Sequence, residues 1–208
     1  SMSMEIEFWV DPICPWCWVT ARWVVDGVQA ERDLKITWQP ISLYFKNEPD
    51  KDNKRFDWYE RSHNLLRVME SIRSEEKEDV VQKYYWELGR RIHHDKNFMD
   101  FDLAEVLSVV GVSDKHLTAY ENSSFDEEIR TRMNAGIALA GVDIGTPIIA
   151  FDDFNGERVG IFGPVITRVP STEESLKLWD SVVTLTSTPG FWELKRTRTE
   201  KPEFGERP

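Results

Sequence analysis

The chain has 208 residues, of which 40% are hydrophobic, and it carries a formal net charge of −11. This length is enough for one hydrophobic core with a large insertion. The acidic balance argues against nucleic acids and anionic membranes as partners. No run of about 18 apolar residues predicts a membrane span, and no basic and apolar leader predicts a signal peptide. A cytoplasmic location is therefore expected.

The first part of the chain predicts a strand, a helix and a second strand. Apolar residues favour a strand over 5–10, a helix over 14–30, and a strand over 34–43 with alternating apolar positions. A strand–helix–strand unit with a short return predicts parallel pairing and a right-handed crossover. The N-terminal segment is therefore interpreted as a βαβ unit.

The remainder of the chain predicts a helical block followed by a hairpin and a last helix. Helical periodicity appears in five segments, 56–69, 81–92, 103–110, 113–120 and 126–140. Strand patterns return at 148–151 and 159–162, and 172–185 predicts the last helix. Without the block, the order βαβ then αββα is that of a thioredoxin fold. The predicted α/β architecture has a thioredoxin-like domain, 1–47 and 125–208, and an inserted helical domain, 48–124.

The two cysteines in the chain, Cys14 and Cys17, flank Pro15 and Trp16 directly after the first predicted strand. A thiolate is the nucleophilic form of cysteine, and a helix N-terminus lowers the thiol pKa through unpaired N–H groups and the helix dipole. Pro15 suits the first helical position, where its missing N–H costs nothing. We therefore expect Cys14 to attack and Cys17, one turn further on, to resolve the mixed disulfide.

Other interpretations of this CxxC motif are weaker. A zinc site lacks a second CxxC, and the four histidines show no ligand spacing, so no metal is expected. A structural disulfide gains little from closing so short a loop. Two inert buried thiols fit poorly with the helix-start position. Redox chemistry is therefore favoured.

A second signal lies far along the chain, where Gly145, Thr146 and Pro147 precede the strand predicted at 148–151. A proline at the start of a strand, after a Gly-Thr turn, favours a cis peptide bond within this element order. In that geometry the backbone of Thr146 would lie beside Cys14 and offer hydrogen bonds to a substrate.

Several segments together resemble one known family. They are 8–18 (FWVDPICPWCW), 89–93 (GRRIH), 145–147 (GTP), 162–165 (FGPV), 177–180 (KLWD) and 193–200 (ELKRTRTE). The chain thus resembles the DsbA-like group of the thioredoxin superfamily, which has a helical domain inserted after the second core strand. Within that group it is most similar to the actinobacterial mycothiol-dependent reductases, also called nitroreductases.

The resemblance implies a cytosolic oxidoreductase with Cys14 as nucleophile, Cys17 as resolving cysteine and Pro147 as the cis-proline before the third core strand. It also implies mycothiol as a co-substrate that supplies electrons. No tightly bound cofactor is expected, and the chain has no GxGxxG motif for a directly bound NADPH.

Substrate contacts are expected where the parallel strands end. Trp16 would stack on a flat ligand, and Trp18, Asn47, Tyr59 and His93 are further candidates for binding substrate. Asn47 is equally well interpreted as a turn residue and Tyr59 as a core aromatic. His93 more often represents a hydrogen-bonded histidine at a helix end than a catalytic base.

Three functions remain in competition. The leading one is a mycothiol-dependent dithiol reductase acting on small disulfides or nitroaromatic-type electrophiles. The second is a DsbA-like protein disulfide oxidase or isomerase, and the third is a non-catalytic binding or chaperone module. The expected partners are a low-molecular-weight thiol and a small-molecule or disulfide substrate, without nucleic acid or membrane. A homodimer is left open.

Overall fold

A computed structural model describes residues 3–143 and 145–208; positions 1, 2 and 144, which fall within the predicted thioredoxin-like domain, lie outside the description. The strands are β1 (Met4–Val10), β2 (Leu34–Pro40), β3 (Ile148–Asp152) and β4 (Arg158–Phe162). The α-helices are α1 (Pro15–Arg22), α2 (Ala30–Arg32), α3 (Leu43–Asn47), α4 (Phe56–Arg73), α5 (Glu78–Gly89), α6 (Leu103–Val110), α7 (Asp126–Ala140) and α8 (Thr172–Ser187). None of the described helices is long and apolar enough to cross a membrane.

The four strands form one sheet in the order β2-β1-β3-β4. β1 pairs with β2 in parallel, whereas β3 runs antiparallel to both β1 and β4. The predicted βαβ unit and the predicted hairpin are therefore confirmed. The helical segments between β2 and β3 form the insertion, so the fold is an α/β thioredoxin-like DsbA fold with a helical insertion. The exact division at residues 48 and 125 stays a prediction.

The second strand is shorter than the sequence predicted. It ends at Pro40 rather than at Leu43, which instead begins α3. Ser42 is the N-cap of this helix, and its hydroxyl accepts a hydrogen bond from the N–H of Phe45 at 3.1 Å. Proline ends the ladder and a serine cap starts a helix, which explains why the alternation in 34–43 does not continue as strand.

The predicted helix over 14–30 is present but is not uniform. α1 continues without a break into a π-helical segment, Trp23–Gln29, and ends in α2. The segment predicted as a helix over 113–120 is a 3-10 helix, Asp114–Glu121, whose first turn is capped by Ser113. Such local changes of pitch cannot be read from apolar periodicity alone.

The core is rich in tryptophan, with five of these side chains fully buried: Trp9, Trp18, Trp23, Trp38 and Trp179. The buried apolar side chains of the sheet and of the inserted helices form one continuous cluster. Two glycines permit this packing. A Cβ on Gly89 would lie 2.2 Å from the Trp18 ring, and a Cβ on Gly136 would lie 2.6 Å from the Trp9 ring.

The last eighteen residues, 191–208, contain no helix or strand, and we name this segment the C-terminal strap. Its backbone is joined to the loop after β4, because the N–H of Glu203 donates to the carbonyl of Thr167 at 2.7 Å. Further on, Arg207 makes two hydrogen bonds to Asp95, at 2.8 and 3.1 Å, within the insertion. The strap therefore connects the thioredoxin-like part to the inserted helices.

Candidate active site

Cys14 occupies the N-cap of α1, directly after the loop that follows β1. Its sulfur accepts a hydrogen bond from the N–H of Cys17 at 3.3 Å, as expected for a sulfur placed over the unpaired N–H groups of a helix start. Pro15 stands at the beginning of the helix. The helix start therefore points a donor at the Cys14 sulfur, which favours the thiolate.

The two thiols are free and differ strongly in their environment. Cys14 is 7% exposed, whereas Cys17 is fully buried. The pKa of Cys14 is lowered, chiefly because the Cys17 thiol donates to its sulfur, and burial opposes this shift. Burial raises the pKa of Cys17 well above its ordinary range. The pair thus combines a slightly exposed thiol whose pKa is lowered with a fully buried thiol whose pKa is raised.

Asp11 is a fully buried carboxyl group at the base of this turn. Its Oδ1 accepts hydrogen bonds from the N–H of Ile13, at 3.1 Å, and from the Ser62 hydroxyl. Its Oδ2 accepts from the N–H of Leu43 at 2.8 Å. Burial raises the pKa of Asp11 from 3.8 to about 6, although all three hydrogen bonds oppose this shift. Asp11 thereby joins the turn before Cys14 to helices α3 and α4.

Trp18 and His93, which the sequence predicts to bind substrate, are both buried, and their role in binding stays a prediction. Trp18 is fully buried, and its indole N–H donates to Nε2 of His94 at 2.9 Å. His93 is 6% exposed, lies parallel to the Trp18 ring, and donates from Nε2 to the Pro12 carbonyl at 3.0 Å. Burial lowers the pKa of His93 to about 4, so the ring is neutral near pH 7. The hydrogen bond from His93 to Pro12 supports the turn that leads to Cys14.

Thr146 and Pro147 lie beside the nucleophile. The thiol of Cys14 donates to the Thr146 carbonyl with an Sγ to O distance of 3.9 Å. The Thr146–Pro147 peptide bond is cis, and so is the Gly163–Pro164 bond. The N–H of Gly163 donates to the Pro147 carbonyl at 2.8 Å, which holds the two proline loops together.

Trp16, between the two cysteines, is partly exposed at the surface of the site. The guanidinium carbon of Arg198, from the C-terminal strap, lies 5.0 Å from the centre of the Trp16 ring. This distance is within the range of a cation–π contact. The strap therefore reaches a residue between the two cysteines.

Comparison with known families agrees with this geometry. The model of the Rv2466c-like family, described as "Mycothiol-dependent nitroreductase Rv2466c", matches residues 13–196. The chain belongs to this family of mycothiol-dependent nitroreductases. It is thus an enzyme of the thiol-disulfide oxidoreductase type, and the predicted family resemblance is confirmed.

Among solved structures, this nitroreductase-family chain is similar to DsbA-like proteins in fold. A probable DsbA oxidoreductase from Streptomyces coelicolor matches with a TM-score of 0.58 and 15% identity, covering 94% of each chain. A protein from Nitrosomonas europaea, assigned as a protein disulfide isomerase, has a TM-score of 0.58 and 14% identity, covering 87% of this chain and 99% of that chain. MdbA, a thiol-disulfide oxidoreductase from Corynebacterium matruchotii, has a TM-score of 0.51 and 11% identity, covering 76% of each chain. These likenesses show the fold alone.

Asn47 and Tyr59, which the sequence also predicts to bind substrate, make none of the contacts described above for the cysteines. Asn47 is the exposed last residue of α3, and Tyr59 is partly buried in α4. Within the described residues, no side-chain hydrogen bond joins either one to the CxxC turn. Their role in binding stays a prediction. No group of three or more His, Cys, Asp or Glu residues in the described part of the chain is arranged to hold a metal ion.

The sequence alone did not assign a role to four residues that contact the site: Asp11, Ser62, His94 and Arg198. The position of Asp11 directly after a buried strand was a usable signal, since strand ends gather at one edge of the sheet. Ser62 and His94 approach through the helical insertion, whose packing no local pattern specifies. Arg198 belonged to a basic cluster in a tail without periodicity, so its contact with Trp16 could not be predicted.

Proposed function

We propose that this nitroreductase-family enzyme is a mycothiol-dependent dithiol reductase that acts on small disulfides or nitroaromatic-type electrophiles. The observation that carries this proposal is the contrast between Cys14, a slightly exposed thiol with a lowered pKa, and Cys17, a buried thiol with a raised pKa. Such a pair separates the attacking sulfur from the resolving one.

In the substrate half-reaction, the Cys14 thiolate attacks one sulfur of a disulfide, and the other sulfur leaves as a thiolate. Cys17 then loses its proton and attacks the Cys14 sulfur, which releases the second thiolate and forms the Cys14–Cys17 disulfide. One turnover delivers two electrons. The same two electrons, with two protons, would convert an aromatic nitro group to a nitroso group and water.

In the reductive half-reaction, the thiolate of one mycothiol attacks Cys14 of the disulfide and displaces Cys17. A second mycothiol attacks the mixed disulfide, releases mycothiol disulfide and restores the Cys14 thiolate. No tightly bound cofactor is needed for this cycle. The proposal places it in a reducing, cytoplasmic compartment, where a low-molecular-weight thiol can keep the pair reduced.

The proposed role of the cis-proline loop is to align the substrate. The carbonyl of Thr146 lies 3.9 Å from the Cys14 sulfur, and backbone groups of this loop would form strand-like hydrogen bonds with a bound thiol. Small substrates are favoured over polypeptides because Cys14 is only 7% exposed and Trp16 is in contact with Arg198 of the strap.

Replacing each cysteine in turn tests the proposal. We expect Cys14→Ser to abolish mycothiol-dependent turnover, because it removes the nucleophile. Cys17→Ser should instead accumulate a Cys14–mycothiol mixed disulfide, detected as an added mass of one mycothiol by intact-protein mass spectrometry. The two variants are matched controls for each other. Full turnover in Cys14→Ser would contradict the proposed function.

A further inference from the structure

Arg198 contacts the aromatic residue that separates the two cysteines. Its guanidinium carbon lies 5.0 Å from the centre of the Trp16 ring, and the ring itself is only partly buried. A guanidinium group is planar and presents its N–H donors at the edges while one face lies against an aromatic ring. The donors of Arg198 are therefore available at the rim of the Cys14 site.

Arg198 also has a charge that no nearby carboxylate neutralises. Among the described residues, no Asp or Glu oxygen lies within 4.0 Å of its side-chain nitrogens. Two of the strap carboxylates that follow it, those of Glu200 and Glu203, are instead paired with Arg168, at 2.7 and 2.9 Å. An arginine without an ion-pair partner in the described part of the chain, in contact with Trp16 of the CxxC motif, contrasts with the net charge of −11 of the whole chain.

The strap holds Arg198 in this position by contacts further along its length. The backbone of Glu203 is bonded to Thr167 at 2.7 Å, and the Phe204 ring packs against the rings of His93 and His94, with centroid distances of 5.2 and 5.9 Å. A group that is already positioned loses less freedom on binding a ligand. Arg198 is therefore placed in advance of substrate binding.

We infer that Arg198 is a specificity-determining residue that selects flat aromatic substrates carrying an anionic oxygen. The N–H donors of Arg198 bind the anionic oxygen of the substrate, such as a carboxylate. The aromatic ring of the substrate lies against the exposed surface of the Arg198–Trp16 pair, and its reacting sulfur faces Cys14. This inference rests on the proposed function, since it assumes that Cys14 reacts with small electrophiles. Lys195 and Arg196 of the same strap add only a general positive field.

The experiment uses two aromatic disulfides of nearly the same shape. Bis(carboxy-nitrophenyl) disulfide carries a carboxylate on each ring, and its bis-carboxamide analogue is neutral. With the prereduced protein, Cys14 breaks the disulfide and releases one arylthiolate; Cys17 then closes the protein disulfide and releases the second arylthiolate with one proton. The rate constants for both disulfides are measured by stopped-flow absorbance in a single turnover, so no other reductant is needed.

The measured quantity is the anion preference, which is the rate constant for the carboxylate disulfide divided by that for the carboxamide. We expect Arg198→Ala to lower this ratio roughly tenfold, the size of a charge-assisted hydrogen bond at a partly exposed site. Arg198→Lys should lower it less, because the charge remains while the planar donors are lost. Arg196→Ala removes the same charge from the same strap and should change the ratio less than about twofold.

The outcomes separate the inference from the proposed function. An unchanged ratio in Arg198→Ala, or an equal fall in Arg196→Ala, would overturn recognition by Arg198 while dithiol chemistry stands. Equal slowing of both disulfides in Arg198→Ala would mean that the residue acts on the thiol rather than on the substrate charge, and this also overturns the inference. A wild-type dithiol that reacts with neither disulfide would overturn the proposed function, and the inference with it.

Discussion

Two segments of the molecule meet at Trp16 and are held in opposite ways. The CxxC turn, residues 11–17, is fixed from inside by the buried Asp11 carboxyl and by the N–H groups of α1. The C-terminal strap is held at the surface, by ion pairs such as Arg168 with Glu203 and by the packing of Phe204 against His93 and His94. Contacts of the first kind are far less sensitive to salt and to surface substitution than those of the second kind.

This contrast separates thiol chemistry from substrate choice. The pKa of Cys14 depends mainly on Cys17, within the turn itself. Trp16 is shared, since it belongs to the turn and is in contact with Arg198 of the strap. Changes in the strap are therefore expected to alter which molecules react, whereas changes in the turn alter whether the thiol reacts and how stable the fold is.

The largest effect is expected from Asp11→Asn, which changes the interior of the turn. The pKa of Asp11 rises from 3.8 to about 6 on folding. Below the lower value the carboxyl is protonated in both the folded and the unfolded state, and above the higher value it is ionised in both. Between the two values the folded state binds more protons than the unfolded state, so the wild type loses stability as the pH rises. The loss is about 3 kcal/mol, at 1.36 kcal/mol per pKa unit. The asparagine side chain cannot titrate, so urea unfolding of the variant should lack this slope.

The asparagine also lowers the unfolding free energy by an amount that does not depend on pH, because its amide nitrogen cannot accept the hydrogen bond from the N–H of Leu43. Only the difference in slope between the two proteins is therefore diagnostic. Asp100→Asn, which removes an exposed carboxylate, serves as the control. Wild-type and Asp11→Asn curves of unfolding free energy that run parallel from pH 4 to pH 7 would show that ionisation of the buried Asp11 carboxyl does not destabilise the protein.

A smaller effect is expected from Phe204→Ala, which changes the strap. The ring of Phe204 is partly buried against His93 and His94, so its loss should cost about 1 kcal/mol of unfolding free energy. The strap should also open more often, and trypsin should cleave after Arg196 and Arg198 several times faster, as expected for a locally unfolding segment.

Leu194→Ala is the matched control in the strap, because Leu194 is 79% exposed and its truncation removes no packing. Cleavage at the strap should be unchanged in this variant. If both variants behaved alike, the aromatic contact would not be what holds the strap in place.

Much of the fold could be predicted because its elements follow local rules. Alternation and buried runs defined β1, β3 and β4, and apolar periodicity identified most of the helices, including α7 over Asp126–Ala140. Both cysteines and the Gly-Thr-Pro turn carried their own signals. The short helix α3 was missed, since the cap at Ser42 was hidden inside an alternating segment.

The rest depended on contacts between distant segments. Trp18 was expected to face substrate, but Gly89 leaves room for its ring within the insertion, and the ring is buried there. His93 donates to the Pro12 carbonyl, which agrees with the interpretation of a hydrogen-bonded histidine at a helix end. Only the packing of the insertion against α1 decides where these side chains lie, and one helix considered alone does not contain that information.

The central claim is that Cys14 is a low-pKa nucleophile whose thiolate is stabilised by Cys17. The most direct measurement is the pH dependence of thiolate absorbance in the ultraviolet for the reduced wild type, and for a Cys17→Ala variant that retains Cys14 alone. We expect one thiolate in the wild type to appear at a pH below the ordinary thiol value of about 8.5, and the midpoint to move upward in Cys17→Ala because the stabilising hydrogen bond is lost. A wild-type titration at or above the ordinary value, or an identical midpoint in Cys17→Ala, would contradict the account.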